Sequence, residues 1–214
     1  MEAGVHYGYS RTRRHPTNSP LIYGTKDGID IINLEKTVPQ IEAAATFLSG
    51  LGASGKTVFF VGVKPESRNA TRDIADALHQ PYVTERWIGG ILTNFPEIKR
   101  RIQKLEDMTA KRASGEWDKF TKKEQLLMTR ELDRLNKYFS GLVGVTKLPD
   151  AILVIDSKKE HIAIAEARKS NVPVIAIGNT DCSIRGIDYP ITANDSSASS
   201  IAAILAILKD AFQQ

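Results

Sequence analysis

The stretch Gly50-Leu51-Gly52-Ala53-Ser54-Gly55-Lys56-Thr57 satisfies the phosphate-binding pattern G-x-x-x-x-G-K-T letter for letter. Such a loop holds phosphate because it follows a strand and opens a helix, whose N-terminal amides and dipole then face the anion. Here the order is reversed. Leu34, Val38, Ile41, Ala45 and Leu48 fall on one helical face ahead of the loop, and Thr57-Val58-Phe59-Phe60-Val61-Gly62-Val63 follows it as a strand. We therefore read the glycines as a helix end at Gly50 and a turn into the strand, with the wrong backbone ends offered to a phosphate.

Two further groups could do chemistry. Asp156 and His161 lie near a strand end and could form a general acid/base pair, but no nucleophile elbow or paired carboxylate motif accompanies them. A capping box, Ser157-Lys158-Lys159-Glu160, accounts for the polar residues there without catalysis. His6, His15 and His79 are scattered with no ligand spacing, so neither metal nor cofactor is expected. Cys182 is the only cysteine, which excludes an intrachain disulfide and a cysteine-rich zinc site and fits a reducing compartment. We expect an inert thiol, since nothing nearby in sequence would depress its pKa.

The remaining chemistry is charge. The 214 residues carry a net charge of +4 and a pI near 9.1, a mild lean towards a polyanionic partner. Between Pro96 and Ser140 there are twelve Lys and Arg against eight Asp and Glu, so this one stretch holds the whole excess. Arg11, Arg13 and Arg14 sit beside Tyr7 and Tyr9, a pairing of guanidinium forks and stackable rings that suits phosphates and exposed RNA bases. We read the segment as an arm or extended loop. Lys99-Arg100-Arg101 and Lys104 form a second basic cluster suited to phosphate contact.

These residues need a frame. The run from Thr57, Pro81-Tyr82-Val83, Ala151 to Asp156 and Pro173 to Gly178 read as strands, and Ile29 to Ile32 could be another, alternating with helices that end near His79 and Ser170; a polar loop then leads to Ile187–Ile191, and a last helix follows Asp195. That order implies a parallel sheet with right-handed crossovers. The pattern breaks once. After Arg86-Trp87-Ile88-Gly89-Gly90-Ile91-Leu92-Thr93-Asn94, the residues Ile98, Ile102, Leu105 and Met108 define one helix ending near Ser114-Gly115. Thr121-Lys122-Lys123-Glu124 caps another, whose Met128, Leu132, Leu135, Phe139 and Leu142 follow coiled-coil spacing. The expected architecture is a Rossmann-like α/β domain over 1–95 and 141–214, with an antiparallel α-helical coiled-coil hairpin inserted at 96–140. Trp87 should anchor the junction and Gly89-Gly90 give it a tight passage. No apolar run approaches the ~20 residues of a membrane span, and no leader is seen.

Several stretches together resemble one family, the universal small-subunit ribosomal protein conventionally numbered two, in its bacterial form. They are Glu2-Ala3-Gly4-Val5-His6-Tyr7-Gly8, Ile31-Ile32-Asn33-Leu34-Glu35-Lys36-Thr37, the Arg86–Asn94 stretch, Leu148-Pro149-Asp150 before Val154-Ile155-Asp156, Glu160-His161-Ile162-Ala163 with Ala165-Glu166-Ala167, and Ile187-Asp188-Tyr189-Pro190-Ile191 before Ala193-Asn194-Asp195. The resemblance implies a non-enzymatic component of the small ribosomal subunit that binds rRNA and neighbouring ribosomal proteins, and a dock for ribosomal protein one. The implied location is the ribosome, in the cytoplasm or in an organelle matrix or stroma. On this reading the rRNA contacts are expected at Arg11, Arg13, Arg14, His15, Lys26, Arg86, Asn94, Lys99, Arg100, Arg101 and Lys104. Tyr9 and Asp30 depart from the family pattern, which has histidine at both. The loop Asn179-Thr180-Asp181-Cys182-Ser183-Ile184-Arg185 departs from a more acidic, proline-containing one, and the acidic extension of many members is absent after Gln214. The competing readings are a P-loop or Rossmann-type nucleotide-binding enzyme and a free adaptor that docks proteins on its hairpin.

Overall fold

The computed structural model describes residues 2–214, and its first surprise is the N-terminal segment. Tyr7–Ser10 (β1), Ile22–Lys26 (β2) and Ile29–Ile32 (β3) form an antiparallel sheet in the order β1-β3-β2, with single 3-10 turns at Arg11–Arg13 and Pro16–Leu21 between its first two strands. The segment is thus no arm or extended loop. The missed signal was Asp27-Gly28, a two-residue hairpin turn with both residues at positive φ, 52° and 77°.

Leu34–Ala53 (α1) starts on an Asn33 side-chain cap and runs past Gly50, where the sequence reading had ended it. Helix propensity would stop it at the glycines, but packing overrides propensity. A Cβ on Gly52 would collide with the Phe212 carbonyl, so this glycine lets α1 lie against the last helix. The turn comes later, with Gly55 at φ 59°.

Val58–Val61 (β4), Pro65–Ala77 (α2), Tyr82–Val83 (β5), Phe95–Ala113 (α3), Lys122–Phe139 (α4), Ala151–Ile155 (β6), His161–Lys169 (α5), Val174–Gly178 (β7), Tyr189–Thr192 (β8) and Ala198–Phe212 (α6) complete the chain. The large sheet is parallel, in the order β5-β4-β6-β7-β8. Its central strands β4, β6 and β7 are buried throughout, as expected where both faces are covered. Alternation along the strands sorts the core into two clusters. Phe60, Leu153 and Ile177 face α1, α2 and α6, while Phe59, Val61, Val154 and Ala176 face the other way, towards α5, Trp87 and the α3–α4 pair.

Helix α3 ends at Ala113 with Ser114 as its C-cap, and α4 opens on a Thr121–Glu124 capping box, both as the sequence implies. The second helix is shorter than its apolar stripe. It ends at Phe139, and Leu142 lies in a following 3-10 turn. Trp117, which the periodicity argument passes over, fills the space between the two helices, with the Arg112 guanidinium 5.7 Å from its ring centroid. The capping box proposed at Ser157–Glu160 is also absent: α5 starts from Glu160 with no side-chain cap. The Asp156 carboxylate takes that role one turn early, accepting from the amides of Lys158 and Lys159 at 3.1 and 3.0 Å. Among the described residues, no helix is long and apolar enough to cross a membrane.

Candidate nucleic-acid interface

The carboxyl ends of the parallel strands are where an open α/β sheet usually binds its ligand. In this chain that edge is occupied by the chain itself. Asn18, fully buried, donates to the carbonyls of Asn179, Thr180 and Cys182, and the Tyr9 amide donates to Thr180 Oγ1 at 3.0 Å. The small antiparallel sheet is pinned there. Beneath it the Lys64 ammonium lies 2.7 Å from Asp156 and 2.9 Å from Asp195. Burial alone would lower the Lys64 pKa, but the two carboxylates outweigh it and hold the pKa above the ordinary lysine value. Asp156, Cys182 and Asp195 bring their ligand atoms within 4.8 Å of one another, and Lys64 supplies the positive charge this acidic group requires.

The possible acid/base pair does not form. Asp156 is committed to Lys64 and to the backbone, and His161 Nδ1 faces the Lys158 carbonyl at 3.2 Å. Cys182 is buried, and burial followed by the nearby Asp156 and Asp195 charges pushes its thiol up to about 12. Burial and the raised pKa both disfavour the thiolate, in keeping with the inert thiol expected from sequence. Lys56 of the P-loop look-alike reaches Asp150 at 3.4 Å, at the opposite end of β4 from Lys64.

The N-terminal cations are drawn inward to different degrees. Arg14 forks onto Asp30, whose side chain is wholly buried, through Nε at 2.6 Å and a second bond to Oδ1. The hydrogen bond from Arg14 holds the Asp30 carboxyl below the ordinary aspartate range. Arg13 bonds Asp181 at 3.0 Å and stacks on the Tyr9 ring at 4.2 Å, yet its side chain is 53% exposed. His15 bonds Thr17 and turns the chain into the second 3-10 turn. Arg11 and Lys26 are exposed. The departures at Tyr9 and Asp30 therefore have partners within the chain: Tyr9 Oη lies 2.6 Å from Ser196 Oγ, and Asp30 is the anchor for Arg14.

At the junction, Trp87 is buried as expected and Gly90 takes φ 97°. What organises the bend is Glu166 on α5, whose position in the sequence gives no local sign of this role. Its carboxylate accepts from Trp87 Nε1 at 3.2 Å, from the amides of Gly90, Leu92 and Thr93 at 2.7, 3.1 and 3.3 Å, and from Thr93 Oγ1 at 3.3 Å. Burial pushes its pKa up, but these donors together hold it below the ordinary glutamate value. No local spacing links residue 166 to residues 87–93. Only the tertiary fold does. Arg86 and Asn94 flank this knot with exposed side chains. Farther along α3, Arg100 and Arg101 pair with Glu97 at 3.3 and 3.8 Å, and Lys104 reaches Glu131 on α4, while Lys99 is exposed. The structure thus separates the expected rRNA residues into two regions, the small sheet and the base of the α3–α4 pair, with Arg86 and Asn94 at the latter.

Comparison with known proteins agrees with the sequence resemblance. The family model described as Ribosomal protein S2 matches residues 1–214. The chain is 44% identical to the small ribosomal subunit protein uS2 of Coprothermobacter proteolyticus over 99% of its own length and 79% of that protein. It is 44% identical to its Thermus thermophilus counterpart over 96% and 80%, and 42% identical to that of Sulfurimonas denitrificans over 94% and 78%. The chain belongs to the ribosomal protein S2 family.

Proposed function

We propose that this protein is a structural constituent of the small ribosomal subunit, working in translation without catalysis of its own. Family membership carries this reading. The geometry gives it a physical basis, because the edge at which a Rossmann-like sheet would take a nucleotide is filled by Asn18, Tyr9 and the Lys64 ion cluster. The fold is a scaffold, and function lies on its surface.

Its partners are small-subunit rRNA and neighbouring ribosomal proteins. Arg11, Lys26, Arg86, Asn94 and Lys99 are exposed, and Arg13 keeps half its side chain in solvent, so these residues best suit contact with RNA phosphates. Arg14 supports the small sheet rather than touching RNA, and His15 holds the turn beside it. Docking of ribosomal protein one and a cytoplasmic or organellar setting are the finer expectations of the resemblance.

Quantitative mass spectrometry of purified small subunits from cells expressing the protein tests the reading. The expected result is one copy per subunit, falling when Arg11, Arg13 and Lys26 are replaced together by Gln. Subunits purified without the protein overturn it.

A further inference from the structure

A run of positive charge that is mostly unpaired lies on the outer face of α4, within the basic 96–140 stretch but away from the Lys99–Lys104 cluster. Lys123, Leu127, Arg130, Arg134 and Lys137 follow one another in steps of four, three, four and three residues, so they share one side of the helix. All are exposed, as is Leu126 beside them. The side opposite carries Leu132, Leu135 and Phe139, which are buried against α3 and the sheet. No Asp or Glu interrupts the stripe: Glu124, Glu131 and Asp133 point off its flanks, and Glu131 is taken by Lys104 of α3. Among the described residues, Lys123, Arg130 and Arg134 form no ion pair, and Lys137 has only Glu85 at 4.0 Å.

The contrast with α3 is direct. There Arg100 and Arg101 share Glu97 and Lys104 has Glu131, so the cluster singled out from sequence is partly neutralised within the hairpin. On α4 four cations stand along about 21 Å of helix at 1.5 Å per residue, and of these only Lys137 has a carboxylate within reach, Glu85 at 4.0 Å. A solvated surface helix usually intersperses both signs of charge on its exposed face. A single-sign stripe on a helix braced by a buried seam matches a rigid polyanion.

We propose that the outer face of α4, from Lys123 to Lys137, is a contact track for the sugar-phosphate backbone of a double-stranded RNA helix. The inference rests on the ribosomal reading and specifies its surface. Single-stranded RNA is the poorer fit, because the stripe offers no exposed aromatic ring for base stacking. Arg130 and Arg134 give guanidinium forks for phosphate oxygens. Leu126 and Leu127 supply shape contact to the shallow minor groove, where recognition is by form and 2′-hydroxyls rather than sequence.

The test uses the full chain and a fluorescently labelled RNA hairpin of about 20 base pairs and arbitrary sequence, titrated by anisotropy across a range of KCl concentrations. The double variant Arg130→Gln/Arg134→Gln should weaken binding about tenfold and flatten the log–log salt slope by about 1.5, because two phosphate contacts are lost. The matched variant Arg100→Gln/Lys104→Gln should change affinity by less than about twofold, and a scrambled hairpin should bind equally well. Both variants alter exposed side chains, and an unchanged melting temperature confirms that the fold is kept. An unchanged affinity and salt slope for the α4 variant overturn the proposal, as does loss of small-subunit incorporation with RNA binding intact, which would make the face a protein dock. If the wild-type protein joins small subunits while the α4 variant binds RNA as well as wild type, the track is wrong and the ribosomal reading stands. If wild type joins no subunit and binds no RNA, both fail.

Discussion

Arg14 illustrates how a residue type that suits RNA can serve the fold instead. Its partner Asp30 has no exposed side-chain surface, so removing the guanidinium would leave a buried carboxylate with Thr25 as its remaining side-chain partner. We predict that Arg14→Ala destabilises the protein by about 2–4 kcal/mol in urea titration, while Arg11→Ala, at an exposed position, changes stability by less than about 0.5 kcal/mol. Equal effects would show that the burial of Asp30 has no energetic weight. A second residue-scale effect concerns Glu160, which is buried beside Asp156. Burial, reinforced by the Asp156 charge and opposed by Lys159 and His161, pushes its carboxyl up to about 7. A folded pKa above the unfolded value near 4.5 means that the folded state holds the proton more tightly. Its contribution is therefore complete below pH 4.5 and is lost as pH rises to about 7, a drop of about 1–3 kcal/mol. Glu160→Gln should flatten the stability curve in that window, and an unaltered slope would refute the assignment. Asp30, Asp150 and Glu166 work in the opposite direction, since their lowered pKa values lose stability as pH falls below the ordinary carboxylate range.

Among the elements, the junction before α3 is the one most dependent on a distant residue. Glu166 on α5 gathers the Trp87 indole, three backbone amides and the Thr93 hydroxyl, so one carboxylate sets the direction in which the hairpin leaves the sheet. Glu166→Ala should cost about 3 kcal/mol or more, because buried donors lose a charged acceptor, and should shift the Trp87 emission. Glu131→Ala removes only the exposed pair with Lys104 and should cost less than about 1 kcal/mol. Similar melting temperatures for the two variants would contradict this account of the bend. The helices themselves were legible in the sequence, since the Ile98–Met108 stripe and the Thr121 capping box are local signals. Their carboxylate anchor was not, as it depends on contacts across more than seventy residues of chain. We propose that residues 96–140 are an insertion into the α/β frame that folds with it as one unit, since the α3–α4 seam and the sheet share a core cluster.

For the whole molecule, periodicity and β-branched runs specify a parallel sheet because each strand buried on both faces needs a continuous apolar stretch, and β4, β6 and β7 have one. Of the small N-terminal sheet only Ile29–Ile32 was legible as a strand; its partners β1 and β2 carry Gly8, Gly24 and Lys26 and take their stability from backbone pairing and from the loop at 179–182. The same sheet decides what the fold can do. By filling the carboxyl edge of the large sheet it occupies the place where such an architecture would take a nucleotide, and the exposed cations at its margin and along α4 are the surface we propose for RNA. Charge distribution was legible from sequence only in part, because which cations are neutralised depends on tertiary partners such as Asp30, Asp181 and Glu131. The most direct check is a sucrose-gradient profile of a whole-cell lysate, probed for this protein across all fractions. The protein should follow the small-subunit peak and the heavier ribosome and polysome peaks, with little at the top of the gradient. A profile in which most of it stays in the light fractions, apart from every ribosomal particle, would contradict the account.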